Sequence, residues 1–147
     1  MEAKPSSLAD FRAVSRNLSV RTHEEMKFAD VTLADVKEAI KAAIKAGCAA
    51  TLVHNGANVA LMAWEETAEG EALATTFLAT DRFYEPDVPS VRFGRRYMRQ
   101  IQAEAGNLPV VSYCYSPHPK VERWYRLMGY RLIKVEGPCK VFVLPAR

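Results

Sequence analysis

The segment from Leu108 to Tyr130 limits what this chain can fold into more than any other stretch. It opens with an apolar run, rich in β-branched and aromatic residues, that lies between Pro109 and Pro117. Such a run predicts a short buried strand over residues Val110–Tyr115. Because a strand must pair with other strands, this segment also predicts a sheet.

The residues after this strand have the period of a helix. Four apolar residues fall at positions i, i+3, i+4 and i+7, which predicts one buried stripe. They are Val121, Trp124, Tyr125 and Met128. Gly129 ends the helix, since glycine readily takes the left-handed conformation that closes a helix, and another extended run starts at Tyr130.

Capping residues mark helices in the N-terminal part. Ser7 is a candidate N-cap for a helix that breaks near residues 17–20. Thr32, with Asp35 three residues on, forms the pattern of a capping box and predicts a helix that runs to Gly47. Residues 21–28 are polar with scattered apolar positions and predict one or two further helical turns.

The middle of the chain has strand character. Residues Ala49–His54 and Val59–Glu65 predict a hairpin through the turn Asn55–Asn58, and Glu71–Thr80 predicts a third antiparallel strand. A proline-containing loop then leads to a helix over Ser90–Ala105. With a final hairpin after Tyr130, this order indicates an α+β protein with a mixed sheet flanked by helices.

Composition bounds the class of protein. The 147 residues are enough for one domain, 1–147, and 49% hydrophobic with 25% charged residues is typical of a soluble globular protein. No signal peptide or membrane span is evident, so we expect a cytoplasmic protein. The net charge of +3 does not indicate a nucleic-acid-binding protein. Three cysteines without CxxC spacing and three isolated histidines predict neither a disulfide framework nor a metal site.

The strand, helix, glycine-aromatic and strand order resembles the C-terminal half of the GNAT (GCN5-related N-acetyltransferase) superfamily. The matching positions are His118 for the family's helix-leading Asn, Trp124-Tyr125 for its aromatic pair, and Gly129-Tyr130 for its closing pair. The resemblance implies a sheet of six to seven strands with about four helices. It also implies that strands four and five are parallel and splay apart to admit acetyl-CoA.

Within the superfamily, the chain is similar to a divergent phage-encoded group, that of the podophage internal virion protein A. The residues in common include Arg16-Asn17-Leu18, Glu24-Glu25, Ala79-Thr80-Asp81 and the segment Arg123–Tyr130. This similarity implies a protein that acts in the host cytoplasm or in the virion.

The chain departs from the superfamily where the pyrophosphate of the cofactor binds. The family has a glycine-rich loop whose backbone N–H groups meet phosphate at a helix N-terminus. Here a single glycine, two prolines and two acidic residues occupy residues 83–96. Arg92, Gly94, Arg95 and Arg96 are the nearest remnant and the candidate cofactor-binding residues. Alternatively, the arginines, together with Arg99, form a solvated helix face or a nucleic-acid-binding site.

The resemblance also implies candidate catalytic residues. Tyr125 matches the tyrosine that protonates the departing thiolate of coenzyme A, and a packed core tyrosine is the alternative. Asp81, at the end of the central strand, is a candidate for deprotonating the amine, and a turn or cap is its alternative role. His118 is a candidate cofactor contact, a base or a helix cap.

Two functions remain open at the level of sequence. The first is an acyltransferase that moves an acetyl group from acetyl-CoA to an amine by direct attack. The second is a non-catalytic GNAT-fold protein that binds a virion or host protein. The degenerate loop favours the second, whereas the intact aromatic segment supports the first. The sequence does not identify the amine acceptor, and a homodimer is open in either case.

Overall fold

One mixed sheet of seven strands runs through the molecule, and the computed structural model describes all 147 residues. The strands are β1 (Glu2–Pro5), β2 (Ala49–His54), β3 (Ala57–Glu66), β4 (Leu73–Ala79), β5 (Val110–Cys114), β6 (Arg131–Glu136) and β7 (Cys139–Leu144). Their spatial order is β1-β2-β3-β4-β5-β7-β6. All neighbours are antiparallel except β4 and β5, which are parallel, as the sequence analysis predicts.

Five α-helices flank the sheet. They are α1 (Leu8–Arg16), α2 (Val20–Ala29), α3 (Leu33–Lys45), α4 (Ser90–Glu104) and α5 (Pro119–Met128). A short 3-10 helix, Asp81–Tyr84, follows β4. Ser7 and Thr32 both cap their helices in full capping boxes, so the predicted box at Thr32 is confirmed. The segment predicted as one or two turns forms the complete helix α2, which brings the helix count to five.

The hairpin between β2 and β3 turns more tightly than predicted. Its loop contains only Asn55 and Gly56, with φ values of 49° and 77°, and Ala57 already belongs to β3. Two successive residues with positive φ are typical of the type I′ turn, whose twist matches that of the flanking strands. The predicted four-residue turn at Asn55–Asn58 was therefore too long by two residues.

The two faces of the sheet carry different helices. Along β3, Leu61 and Ala63 pack with α1 and α3, whereas Met62 between them packs with residues of α4 and α5. Side chains alternate between the faces of a strand, so α1 and α3 cover one face and α4 and α5 cover the other. None of the helices is both long enough and apolar enough to cross a membrane.

The parallel strands β4 and β5 pair over a very short distance. Only Leu73 with Val110 and Ala74 with Val111 are in register, although both strands continue beyond these pairs. The strands diverge after Ala74, and the rest of β4 has no partner on its β5 side. The predicted splay is therefore present, and it opens the sheet near its centre.

Candidate active site

A cavity of about 410 Å³ occupies the gap between β4 and β5. Its walls come from both faces of the sheet. Helix α2 contributes Arg21, Thr22, Glu25, Met26 and Ala29; β4 contributes Thr75–Leu78; β5 contributes Ser112 and Tyr113; and α5 contributes Lys120, Val121, Trp124 and Tyr125. The gap in the sheet thus exposes side chains that a continuous sheet would cover.

Tyr125 is fixed in the wall of this cavity. Its ring stacks on Phe142 at a centroid distance of 4.4 Å, and its hydroxyl lies 2.7 Å from the Oγ atom of Ser112 on β5. Burial raises the pKa of Tyr125 well above that of an ordinary tyrosine, and the hydrogen bond with Ser112 only partly opposes this effect. The hydroxyl therefore keeps its proton at neutral pH and can donate it to an atom in the gap.

Trp124 is only half-buried, which corrects the expectation of a fully buried stripe on α5. The indole lines the cavity, because β4 and β5 have already parted at this level. Its ring stacks against Phe77 of β4 at 6.2 Å. The Nε1 atom is nevertheless buried and has no hydrogen-bond partner, which lowers the stability of the folded protein.

Glu25 is the cavity residue that the sequence analysis did not assign to the site. Its Oε1 atom accepts a hydrogen bond from the backbone N–H of Tyr115 at 3.2 Å, and no cation forms an ion pair with it. Burial raises the pKa of its carboxyl, and the Tyr115 hydrogen bond lowers it by less. In the sequence it stands out only as part of the Glu24-Glu25 pair, on a segment with a weak helical pattern.

Two cations also reach the cavity. The guanidinium of Arg21 lies 4.5 Å above the ring of Tyr84, a cation–π contact. Lys120 is exposed at the rim, near the start of α5. Burial, followed by the charge of Glu25, raises the pKa of Tyr84 to about 12. The cavity is thus lined by one carboxylate, that of Glu25, and by two cations: Arg21 stacked on Tyr84 and Lys120 at the rim.

Asp81 does not meet the other candidate residues. It is the first residue of the 3-10 helix, it is exposed, and it does not line the cavity. His118 is the N-cap of α5, and its Nδ1 atom accepts a hydrogen bond from the backbone N–H of Lys120 at 3.2 Å. This is the capping role that the sequence analysis offered for His118.

The loop before α4 is held by a cluster of charged side chains. Arg82 binds both acidic residues of the loop, Glu85 at 2.7 Å and Asp87 through two hydrogen bonds. The helix starts after Pro89, which supplies no side-chain cap and no N–H. The first turn of α4 therefore lacks the glycine-borne amides of a typical phosphate loop.

The arginines of α4 line another, open groove of about 750 Å³ beside the C-terminal end of α5. It is lined by Arg92, Arg95, Arg96, Arg99 and Arg147 together with Val91, Met128 and Gly129. Arg99 is bound to the Oε1 atom of Gln102 and to the carbonyl of Pro145, whereas Arg92, Arg95 and Arg96 form no ion pair. These three side chains are exposed and available to an anion.

Gly94 lies inside α4, where that helix meets α5. A Cβ atom on Gly94 would lie 2.6 Å from the Cε atom of Met128 and 2.8 Å from its Sδ atom. The glycine therefore lets the two helices approach each other. Its position between arginines brings no backbone N–H toward the groove, because the N–H groups of a helix interior are already bonded.

Comparison with solved structures gives a consistent fold. The chain is similar to PaiA N-acetyltransferase from Thermoplasma acidophilum in complex with coenzyme A, with a TM-score of 0.70 and 10% identity over 99% of this chain and 98% of that one. It is also similar to the polyamine N-acetyltransferase of Drosophila melanogaster, with a TM-score of 0.70 and 14% identity over 98% and 99% of the chains.

A third similar structure is the phosphinothricin acetyltransferase of the GNAT superfamily from Sinorhizobium meliloti in complex with acetyl-CoA. Its TM-score is 0.63, with 10% identity over 99% of this chain and 88% of that one. No family model and no curated protein sequence matches the chain. The sheet order, the parting of β4 and β5 and these three likenesses together show that the protein has the GNAT acetyltransferase fold.

Proposed function

We propose that the protein is an acetyl-CoA-dependent N-acetyltransferase. The observation that carries the proposal is the cavity between β4 and β5, whose wall includes Tyr125 and Trp124. Two structures of the same fold contain coenzyme A or acetyl-CoA, which supports this ligand. Acetyl-CoA would supply an acetyl group activated as a thioester, from which coenzyme A departs as a thiolate.

Tyr125 would act on the sulfur that leaves. Its hydroxyl is protonated at neutral pH and is oriented by Ser112, so it can donate a hydrogen bond to negative charge that develops in the gap. Its raised pKa makes it a weak acid toward a thiolate, whose ordinary pKa is about 8.5. Tyr125 would therefore mainly stabilise the thiolate, and proton transfer would be completed as the amine loses its own proton.

The exposed arginines of α4 would bind the phosphates of the cofactor. The loop before α4 offers two prolines and two carboxylates tied to Arg82, so guanidinium groups would replace the missing backbone donors. Arg92, Arg95 and Arg96 are the candidates, because they line one groove and have no carboxylate partner. Gly94 would contribute by allowing the close contact of α4 with α5.

Calorimetric titration with acetyl-CoA tests the cofactor site. We expect saturable binding that weakens at higher salt and that falls in each of R92A, R95A and R96A, while R12A on α1 serves as a matched control because it removes an exposed arginine from the opposite face. A charge-assisted hydrogen bond to phosphate is worth about 1.5–3 kcal/mol, so each loss predicts a decrease of roughly 10- to 100-fold. Equal acetyl-CoA affinity in R92A, R95A, R96A and R12A would show that the phosphates bind at another site.

Thiol release from acetyl-CoA in the presence of amines tests the chemistry. We expect turnover to fall in Y125F by about 10²- to 10⁴-fold with little change in acetyl-CoA affinity, because the hydroxyl acts on charge that appears only during the reaction. Unchanged turnover in Y125F would leave Tyr125 with a packing role alone.

The second candidate is a non-catalytic GNAT-fold protein of the phage-encoded group, which would bind a virion or host protein. The observation in its favour is the loop before α4, where Arg82 already satisfies the acidic side chains and Pro89 removes a donor. Absence of acetyl-CoA binding at millimolar concentration would favour this second function over the transferase.

A further inference from the structure

We infer that Glu25 binds the ammonium group of the acyl acceptor and takes its proton, and that the acceptor is a monoamine with an apolar body. The inference rests on the proposed transferase function and names the substrate class of the same site. It depends on three features of the cavity: a fixed carboxylate without a cation, aromatic walls, and positive charge at the mouth.

The position of Glu25 is fixed by the anchoring of α2 to the sheet. The backbone N–H of Ser19 donates to the carbonyl of Ala79 at the end of β4, at 2.9 Å. The buried hydroxyl of Thr22 lies 3.3 Å from the same carbonyl and also accepts from the Ala79 N–H at 3.4 Å. Glu25 follows Thr22 by three residues, so its side chain lies almost one turn farther along an immobilised face.

The carboxylate of Glu25 has capacity for one more strong partner. The Tyr115 N–H occupies Oε1, and no Lys, Arg or His side chain forms an ion pair with the group. A carboxylate that is largely removed from water is stabilised by a cation that can reach it. An ammonium group in the gap would be such a cation, and it would donate to the second carboxylate oxygen.

The walls near Glu25 are suited to the apolar part of an amine. Phe77, Phe83, Trp124 and Met26 line the cavity, and aromatic faces attract ammonium groups as well as apolar chains. This lining offers no second carboxylate. The cavity would therefore bind one ammonium group with an aryl or alkyl body behind it.

The remaining charges exclude a second cation. Arg21 from α2 and Lys120 from α5 face the same cavity, and both would repel a second ammonium group. The other titratable groups that face it are tyrosines, which add no positive charge. They are Tyr84, Tyr113, Tyr115 and Tyr125. A diamine or polyamine should accordingly bind less well than a monoamine of similar length.

The proton balance of the step is simple. The ammonium group gives one proton to the carboxylate of Glu25, and its nitrogen then forms the bond to the acetyl carbon as the carbon–sulfur bond breaks. The Tyr125 hydroxyl stabilises the departing thiolate, and the second proton from nitrogen reaches the sulfur through that hydroxyl. Glu25 returns its proton to solvent. A carboxyl with a raised pKa is a better base for this purpose than an exposed one.

Binding of 2-phenylethylamine and spermidine to the protein without acetyl-CoA tests the acceptor site by calorimetry. We expect saturable binding of 2-phenylethylamine, at least 10-fold weaker binding of spermidine, and a 10- to 100-fold loss of 2-phenylethylamine affinity in E25Q. E24Q is the matched control, since it removes the same charge from the neighbouring residue, which does not line the cavity. Equal affinity in wild type and E25Q, or tighter binding of spermidine, would overturn the inference.

A kinetic readout separates proton transfer from positioning. With acetyl-CoA and 2-phenylethylamine, kcat/KM of the wild type should fall as the pH drops through the pKa of Glu25, because the protonated carboxyl neither binds the cation nor accepts its proton. In E25Q this limb should disappear, and kcat should fall together with the rise in KM. A rise in KM with unchanged kcat would show that Glu25 binds the ammonium group but does not accept its proton. Acetyl-CoA titration of E25Q should match the wild type, so failure of the acceptor site is distinguishable from failure of the cofactor site.

Discussion

The carboxylate of Glu25 accepts a hydrogen bond from the backbone N–H of Tyr115 across 3.2 Å, and this contact bridges the gap between α2 and the segment after β5. The two residues lie 90 positions apart in the sequence. Both residues line the cavity between the parted strands. A single hydrogen bond, however, does not compensate for the removal of a carboxylate from water.

Glu25 should therefore cost the protein stability at neutral pH. Burial raises its pKa above the value of 4.5 for an ordinary glutamate, so the folded state binds this proton more tightly than the unfolded state does. The contribution is most favourable below pH 4.5, and it is lost as the pH rises through the folded pKa. E25Q should be more stable than wild type at pH 7, and the difference should shrink as the pH is lowered toward 4.5.

Urea denaturation of wild type, E25Q and E24Q across this pH range measures the effect. E24Q should have the same stability as the wild type, since Glu24 does not line the cavity. A destabilised E25Q at pH 7 would show that the negative charge gains more from the Tyr115 N–H than it loses through burial.

The cysteines should react with thiol reagents at very different rates. Cys114 is buried in β5, and burial, followed by the charge of Glu25, raises its pKa to about 11. Cys139 is also buried, whereas Cys48 is partly exposed. Because the thiolate is the reactive form, native protein should react rapidly at one thiol, and C48S should remove that reaction. Rapid labelling that persists in C48S would reveal opening of the strands that hold the other two.

Local sequence patterns were sufficient to predict most of the elements. The capping box at Thr32, the Asn-Gly turn and the closing Gly129, whose φ is 98°, are all formed by residues close together in the chain, so the pattern contains the physical cause. The parallel pairing of β4 with β5 also follows from a helix lying between two strands.

The composition of the cavity could not be predicted in the same way. Glu25 and Trp124 owe their properties to the parting of β4 and β5, which depends on contacts far apart in the sequence. The helical period placed Trp124 on the correct face of α5 but gave no sign that the facing strands would leave it half-uncovered. Glu25 lay on a helix with weak amphipathic character, and only the fold shows what that helix faces.

Gly94 and Met128 offer a test of how closely α4 and α5 pack. G94A should destabilise the protein by about 1–3 kcal/mol, because the new methyl group would overlap the end of the buried Met128 side chain. In an M128A background the overlap is removed, and G94A should instead stabilise the protein by up to about 1 kcal/mol through its higher helix propensity. A double-mutant cycle by chemical denaturation measures this change of sign. The same destabilisation in both backgrounds would place the strain within α4 itself.

Trp124 should respond differently to truncation and to replacement by another ring. W124A should lower the free energy of unfolding by about 2–3 kcal/mol, at the lower end for a large aromatic residue, because the indole is only half-buried. W124F keeps a ring against Phe77 and removes the buried N–H that has no partner, so its stability should lie within about 1 kcal/mol of wild type. Urea denaturation measures both effects.

Ligand binding should separate these variants further. If the Nε1 atom donates to a carbonyl of acetyl-CoA, W124F should lose roughly 10-fold in affinity by calorimetry while remaining folded. The indole would then be kept at this position at a cost to stability that only the bound ligand offsets. Full affinity in W124F, combined with a large loss of stability, would show instead that the indole serves the packing of α5 against β4 and takes no part in binding.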